Sequence, residues 1–268
     1  MTAPVTAFRA LHAGPDVLVL PNAWDAASAK LLERAGAKAM ATTSAAIAWT
    51  HGLPDRQALP FPVLLAHVER MIGSVRVPLS VDFERGYGDD PSLVAGHVVA
   101  LARVGAAGVN LEDGTGAPDA LARKLDATRR ALAAAGLDLF LNARTDVVLR
   151  GLGDEAEVAR RARRYADAGA DGIFVPGPLG PAALQAVGAT VSCPLNVWAS
   201  PALPRLDALA ALGVRRVTVG PRLVLAALSA MVADARHVLD GDWALDPGCT
   251  LTYREMDALF ESATGLAS

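Results

Sequence analysis

Cysteine is nearly absent from this 268-residue chain: Cys193 and Cys249 are the only two. Two cysteines make no disulfide framework, so the fold must rest on its core, and the expected compartment is reducing. Charge of one sign is also missing. Lys and Arg number 25 against 28 Asp and Glu, for a formal net charge of −3, and no basic stripe stands out. That argues against nucleic acid as a partner. The densest basic run, Arg160-Arg161-Ala162-Arg163-Arg164, follows Asp154, Glu155 and Glu157 and reads as a solvated helix face. No run of 18 apolar residues occurs, and the N-terminus lacks a basic segment followed by an apolar one. The expectation is therefore a cytoplasmic protein with no membrane partner. No Gly-x-Gly-x-x-Gly follows an early strand, which disfavours a doubly wound dinucleotide-binding sheet. Apolar residues are plentiful at 52%, enough for a sizeable core.

The segment Leu79-Ser80-Val81-Asp82-Phe83-Glu84-Arg85-Gly86-Tyr87-Gly88 reads as a short strand ending in a glycine turn. Alternation puts Ser80, Asp82 and Glu84 on one face and Val81 and Phe83 on the other. Two adjacent carboxylates repel unless a positive charge joins them, and a hard divalent cation is a natural candidate. The same grammar returns in Asn110-Leu111-Glu112, in Asn142-Ala143-Arg144-Thr145-Asp146, at Asn196 and at Thr218. Parallel strands in α/β proteins are usually apolar on both faces, so repeated polar exceptions point to a site.

Strand-like runs at 17–20, 39–43, 79–83, 108–111, 139–143, 172–175, 195–198 and 216–219 alternate with helical patterns such as 118–135 and 154–168. Eight such units with no low-complexity linker predict one (β/α)₈ barrel domain over 1–268, with a C-terminal helical segment from about 222 to 268. In that fold the polar positions converge at the C-terminal mouth. Residues 45–60 read as a long unpatterned loop folding over it.

Four segments then resemble the isocitrate lyase/phosphoenolpyruvate mutase superfamily, in the family's order. They are Thr43-Ser44-Ala45-Ala46 with Gly52-Leu53-Pro54-Asp55, Asp82-Phe83-Glu84-Arg85-Gly86-Tyr87-Gly88, Asn110-Leu111-Glu112-Asp113, and Asn142-Ala143-Arg144-Thr145-Asp146. The resemblance covers roughly residues 18–234 and is closest to the mutase-like branch. It implies a Mg²⁺ (or Mn²⁺) enzyme acting on small α-keto or dicarboxylic acids through an enolate. By the same resemblance Asp82 and Glu84 hold the metal directly or through water, and Glu112 completes the metal site by ordering its remaining waters. Ser44 with the amides of Ala45 and Ala46 binds a substrate carboxylate, Arg144 pairs with substrate oxygens, and Asp55 stands by the reacting centre; Asn196, read from strand parity alone, is a further substrate-binding candidate. Family members form homodimers or homotetramers that exchange C-terminal helices.

One departure follows Glu112. Lyases of the superfamily carry Lys-x-Cys-Gly-His there; this chain has Asp113-Gly114-Thr115-Gly116-Ala117-Pro118. The gating loop of true phosphonomutases is also missing. The expected reaction is therefore C–C or P–C cleavage without a protein thiol. A phosphonomutase and a silent barrel binding a small carboxylate remain the alternatives. Blander readings stand beside each residue: Arg144 as an ion-pair partner of Asp146 or Glu112, Asp55 as a helix cap, His51 as an incidental loop histidine or a substitute acid, and Trp24, Trp49 and Trp198 as packing. Asp25 is placed to cap a helix starting at Ala26.

Overall fold

The computed structural model describes residues 3–243, 248 and 250–264; Cys249 lies outside them. Nine parallel strands form one sheet in the order β1-β9-β8-β7-β6-β5-β4-β3-β2. They are β1 (Leu18–Leu20), β2 (Asn22–Ala23), β3 (Met40–Thr42), β4 (Leu79–Asp82), β5 (Gly108–Glu112), β6 (Phe140–Arg144), β7 (Gly172–Val175), β8 (Leu195–Trp198) and β9 (Val214–Thr218). The two ends of that order are consecutive in sequence: β1 pairs with β9, and β2 pairs with β3. A single first strand, interrupted at Pro21, thus joins both edges, and the sheet curls into a TIM-type barrel. Proline has no N–H to give a ladder, so the break falls where the strand changes partner. The Asn22 side chain bridges the seam. It accepts from the amides of Val219 (3.0 Å) and Gly220 (2.9 Å) and donates to the Thr42 carbonyl (2.7 Å).

The helices are α1 (Pro4–Ala13), α2 (Ala26–Arg34), α3 (Ser44–Thr50), α4 (Phe61–Ser74), α5 (Pro91–Arg103), α6 (Pro118–Ala134), α7 (Val147–Arg150), α8 (Glu155–Asp167), α9 (Pro181–Gly188), α10 (Leu206–Ala211), α11 (Arg222–Leu239) and α12 (Tyr253–Thr264). Asp25 caps α2 as expected, in a reciprocal capping box with Ser28. One expectation fails here: 45–60 is not an unpatterned loop, because Ser44–Thr50 is helical and only 51–60 turns back to α4. The Arg160–Arg164 run also departs from a purely solvated face, since Arg161 is buried while Arg160 and Arg164 remain outside.

Strand parity divides the core as the sequence predicts. Val81, Val109, Leu111, Leu141, Ile173, Val197 and Val217 point outward into the main apolar cluster under the helices. Inward-facing Leu18, Leu20, Ala41 and Phe140 pack with Phe8 of α1 in a second cluster that plugs the N-terminal end. Gly108 lets that plug seat: a Cβ there would lie 2.9 Å from the Phe140 carbonyl oxygen and 3.0 Å from the Phe8 ring. Above the plug the lumen turns polar, with Ser80, Asn110, Asn142, Asn196 and Arg216 all buried.

Candidate active site

At the C-terminal mouth the strand ends surround a cavity of about 520 Å³. Ser44, Ala45, Asp55, Asp82, Glu84, Glu112 and Arg144 line it, so seven of the residues singled out from sequence meet in one place. Ala46 and Asn196 do not: both are buried and absent from the lining. Asn196 points into the lumen below, one step from Arg216 on β9.

Asp82 closes β4. Its Oδ2 accepts from the Ser44 amide (3.2 Å) and hydroxyl (2.9 Å), so the start of α3 is tied to the acid rather than left open. Its Oδ1 is buried with no hydrogen-bond partner, and the nearest cation is Arg144 Nη1 at 4.0 Å. Burial pushes the Asp82 carboxyl above its ordinary range, with Arg144 opposing. Glu112, at the end of β5, meets Arg144 Nη1 at 2.9 Å. Burial raises its carboxyl to about 8 despite Arg144, with Asp146, Asp82 and Glu84 adding to the rise.

Glu84 reaches the cavity by a route that alternation does not predict. The strand stops at Asp82, and Glu84 enters through a left-handed backbone turn at φ +47°. Both of its oxygens are engaged: Oε2 accepts from the Gln57 amide (2.7 Å) and Oε1 from the Tyr87 hydroxyl (2.9 Å). Burial first, then the charges of Asp82 and Asp55, raise it to about 7. Asp55 does not cap α4, whose N-cap is Pro60; its Oδ1 is buried and unpartnered beside the cavity.

Arg144 is held on two sides. Nε and Nη2 donate to Asp146 at 2.6 and 3.3 Å while Nη1 faces Glu112, and its guanidinium lies 5.7 Å over the Phe174 ring. The ion-pair reading of Arg144 therefore describes this state, and the Nη1 edge is the one turned to the cavity acids. Arg56, Arg85 and Arg150 add positive charge to the same lining.

The chain after Glu112 forms a tight turn, with the Gly116 amide bonded to the Asp113 carbonyl at 2.8 Å. Asp113 pins it. Its Oδ2 accepts from Arg161 Nη1 (2.8 Å) and the Tyr165 hydroxyl (2.6 Å), and its Oδ1 from the Asp146 amide (2.9 Å). No cysteine or histidine lies among the described residues of the cavity wall. His51 is exposed and bonded to His67 at 3.1 Å, and Cys193 precedes β8 at the opposite end of the barrel. Of the tryptophans, Trp198 lines the cavity, Trp49 is exposed and Trp24 packs against the core.

A model of the phosphoenolpyruvate phosphomutase family matches residues 8–239. The chain belongs to that family. An uncharacterised protein of Mycobacterium tuberculosis (strain ATCC 25618 / H37Rv) is 35% identical over 240 residues, covering 88% of this chain and 90% of its own length. Oxaloacetate decarboxylase of Paraburkholderia xenovorans (strain LB400) is 32% identical over 266 residues, 94% of this chain and 86% of that protein. The crystal structure of 2,3-dimethylmalate lyase, a PEP mutase/isocitrate lyase superfamily member, superposes with a TM-score of 0.85 at 26% identity, over 97% of this chain and 95% of that one. The solved structure shares the fold, and the names among these relatives include a lyase and a decarboxylase. Among the described residues, no three Asp, Glu, His or Cys side chains close on one point as a ready-made metal cage. Hard oxygen donors with an orphaned Asp82 Oδ1 among them fit a cation that keeps most of its own waters.

Proposed function

We propose that this member of the family is a Mg²⁺- or Mn²⁺-dependent enzyme that cleaves a C–C or P–C bond of a small β-substituted α-keto acid of the oxaloacetate type through an enolate. The observation that supports this is the pinned turn 113–117, which follows Glu112 at the mouth and offers neither thiol nor imidazole. Cleavage that leaves a carbanion needing prompt protein protonation is disfavoured there. Loss of CO₂ or another leaving group, with protonation by water, is not.

Asp82 and Glu112 would hold the cation. When bound and chelated by an α-keto carboxylate, it supplies positive charge where the substrate oxygen gains electrons. Arg144 would turn its Nη1 edge from Glu112 to a substrate carboxylate, a fork-to-carboxylate match. The amide of Ala45 at the mouth would orient a carboxylate oxygen, and Asp55, with its free Oδ1, would orient water or substrate. The test is a screen of oxaloacetate, substituted malates and phosphonopyruvate with Mg²⁺, read as pyruvate release. Turnover of an oxaloacetate-like acid that EDTA abolishes is expected. Efficient cleavage of isocitrate or 2-methylisocitrate to succinate would overturn the reading, because it would make the thiol dispensable.

A second reading rests on the closed state of Arg144, whose donors already meet Asp146 and Glu112. On that reading the barrel binds a small carboxylate without turnover. Calorimetric affinity for oxaloacetate with no product over hours would select it.

A further inference from the structure

We propose that Glu84, Gln57 and Tyr87 form a latch whose task is to position Asp55, and that Glu84 is not itself a metal ligand; this rests on the reading of the mouth as a metal-dependent site. Three hydrogen bonds close a ring. The Gln57 amide donates to Glu84 Oε2 (2.7 Å), the Tyr87 hydroxyl donates to Glu84 Oε1 (2.9 Å), and the Tyr87 amide donates to Gln57 Oε1 (2.6 Å). The ring ties the loop between α3 and α4 to the turn after β4. All three members sit in left-handed backbone, Gln57 at φ +59°, Glu84 at +47° and Tyr87 at +56°, and Arg56 beside them is at +78°. These four are the non-glycine residues of the described chain with positive φ, and they stand together at the mouth. None is a glycine or asparagine that would adopt the conformation readily. The surrounding contacts must therefore impose it.

The Tyr87 ring is held in turn, stacked on Phe83 at 5.4 Å between centroids. Asp55 lies two residues before Gln57, and its orphaned Oδ1 is aimed from this backbone. A Glu84 with both oxygens engaged contrasts with Asp82, whose Oδ1 has no partner. The latch uses Glu84 as a two-point acceptor, and glutamine can reproduce it: its Oε1 accepts from the Gln57 amide and its Nε2 donates to the Tyr87 oxygen. Alanine cannot. A metal ligand would show the reverse economy, since an amide replaces a carboxylate poorly at a hard cation.

The experiment uses the full chain and its Glu84→Ala, Glu84→Gln and Asp82→Ala variants. Hydrogen exchange at the Gln57 amide, Mn²⁺ titration calorimetry, and kcat and KM on oxaloacetate are read for each. The latch predicts a protected Gln57 amide in the parent and exchange at least tenfold faster in Glu84→Ala. It predicts near-parental protection in Glu84→Gln, with Mn²⁺ affinity within threefold of the parent, while Asp82→Ala loses tenfold or more. It also predicts that kcat falls with little change in KM in Glu84→Ala and recovers in Glu84→Gln. An unprotected Gln57 amide in the parent, or loss of Mn²⁺ affinity in Glu84→Gln as large as in Asp82→Ala, would overturn it. Failure of Mn²⁺ to bind the parent would count against the metal reading, and the exchange result would still decide the latch.

Discussion

Arg144 and His12 show what single residues contribute at opposite ends of the barrel. Arg144→Lys keeps a charge but loses the planar fork that reaches Asp146 and Glu112 together. A rise in KM of roughly tenfold or more with an unchanged far-UV circular dichroism spectrum is expected; wild-type KM would assign Arg144 to the scaffold alone. His12 is 4% exposed, stacked on Phe140 and bonded through Nδ1 to the Phe8 carbonyl at 2.8 Å. Burial, then the charges of Arg216 and Arg9, push its imidazole down to about 4, with Asp171 and the Phe8 carbonyl opposing. A base held neutral when folded contributes stability fully present above about pH 6.5 and lost as pH falls toward 4, because the unfolded chain takes up the proton first. The loss is of order 2–3 kcal/mol. Denaturant midpoints at pH 7, 5.5 and 4 should show it, and His12→Phe should flatten that slope. Asp82, Glu112 and Arg144 were legible because strand parity aims them. Gln57 and Tyr87 were not, since their roles depend on a left-handed backbone and a hydroxyl that no period or spacing announces.

Among elements, the turn after β5 rests on one buried acid. Asp113 is 5% exposed and meets Arg161, Tyr165 and the Asp146 amide. Asp113→Ala leaves Arg161 with Glu157 (2.6 Å) as its remaining acid and strips the Tyr165 hydroxyl and Asp146 amide of their acceptor, and a cost of about 1–3 kcal/mol is expected from urea unfolding. Tyr165→Phe removes one hydrogen bond and should cost about 1–2 kcal/mol. A small effect of both would show that the turn is not pinned. Strands 172–175 and 195–198 and helix 222–239 fall where the sequence places them, because short apolar runs mark the strands and Gly241 follows the end of the helix. Helix α3 was missed: a seven-residue Ala-rich segment followed by Gly52 and Pro54 carries too few turns for a period to emerge. Arg161 was misjudged for a related reason: besides Glu157, four residues earlier, it meets the buried Asp113, which lies 48 residues earlier.

For the molecule as a whole, the barrel was readable from eight alternating units, while the state of association was not. Among the described residues no helix is long and apolar enough to cross a membrane. Yet α11 buries only Val224 and exposes Leu225, Leu228, Met231 and Val232. A second copy of the chain is the proposed cover, as a homodimer or homotetramer; α12 in this chain reaches its own Arg34 through Glu255 at 3.4 Å. Sedimentation equilibrium should give an oligomer that Leu228→Glu with Met231→Glu reduces toward the monomer. A monomeric parent would discard the idea. The broken first strand has a consequence for synthesis. Leu18 pairs with Arg216, and Asn22 waits for the Val219 and Gly220 amides, 197 and 198 residues later. While the ribosome is still making β9, the emerging half-barrel keeps an open edge at each side. Closure of the ring, with its long loop to bring together, is then the late event of folding, and the interval before it is when nascent chains are most exposed to pairing with each other.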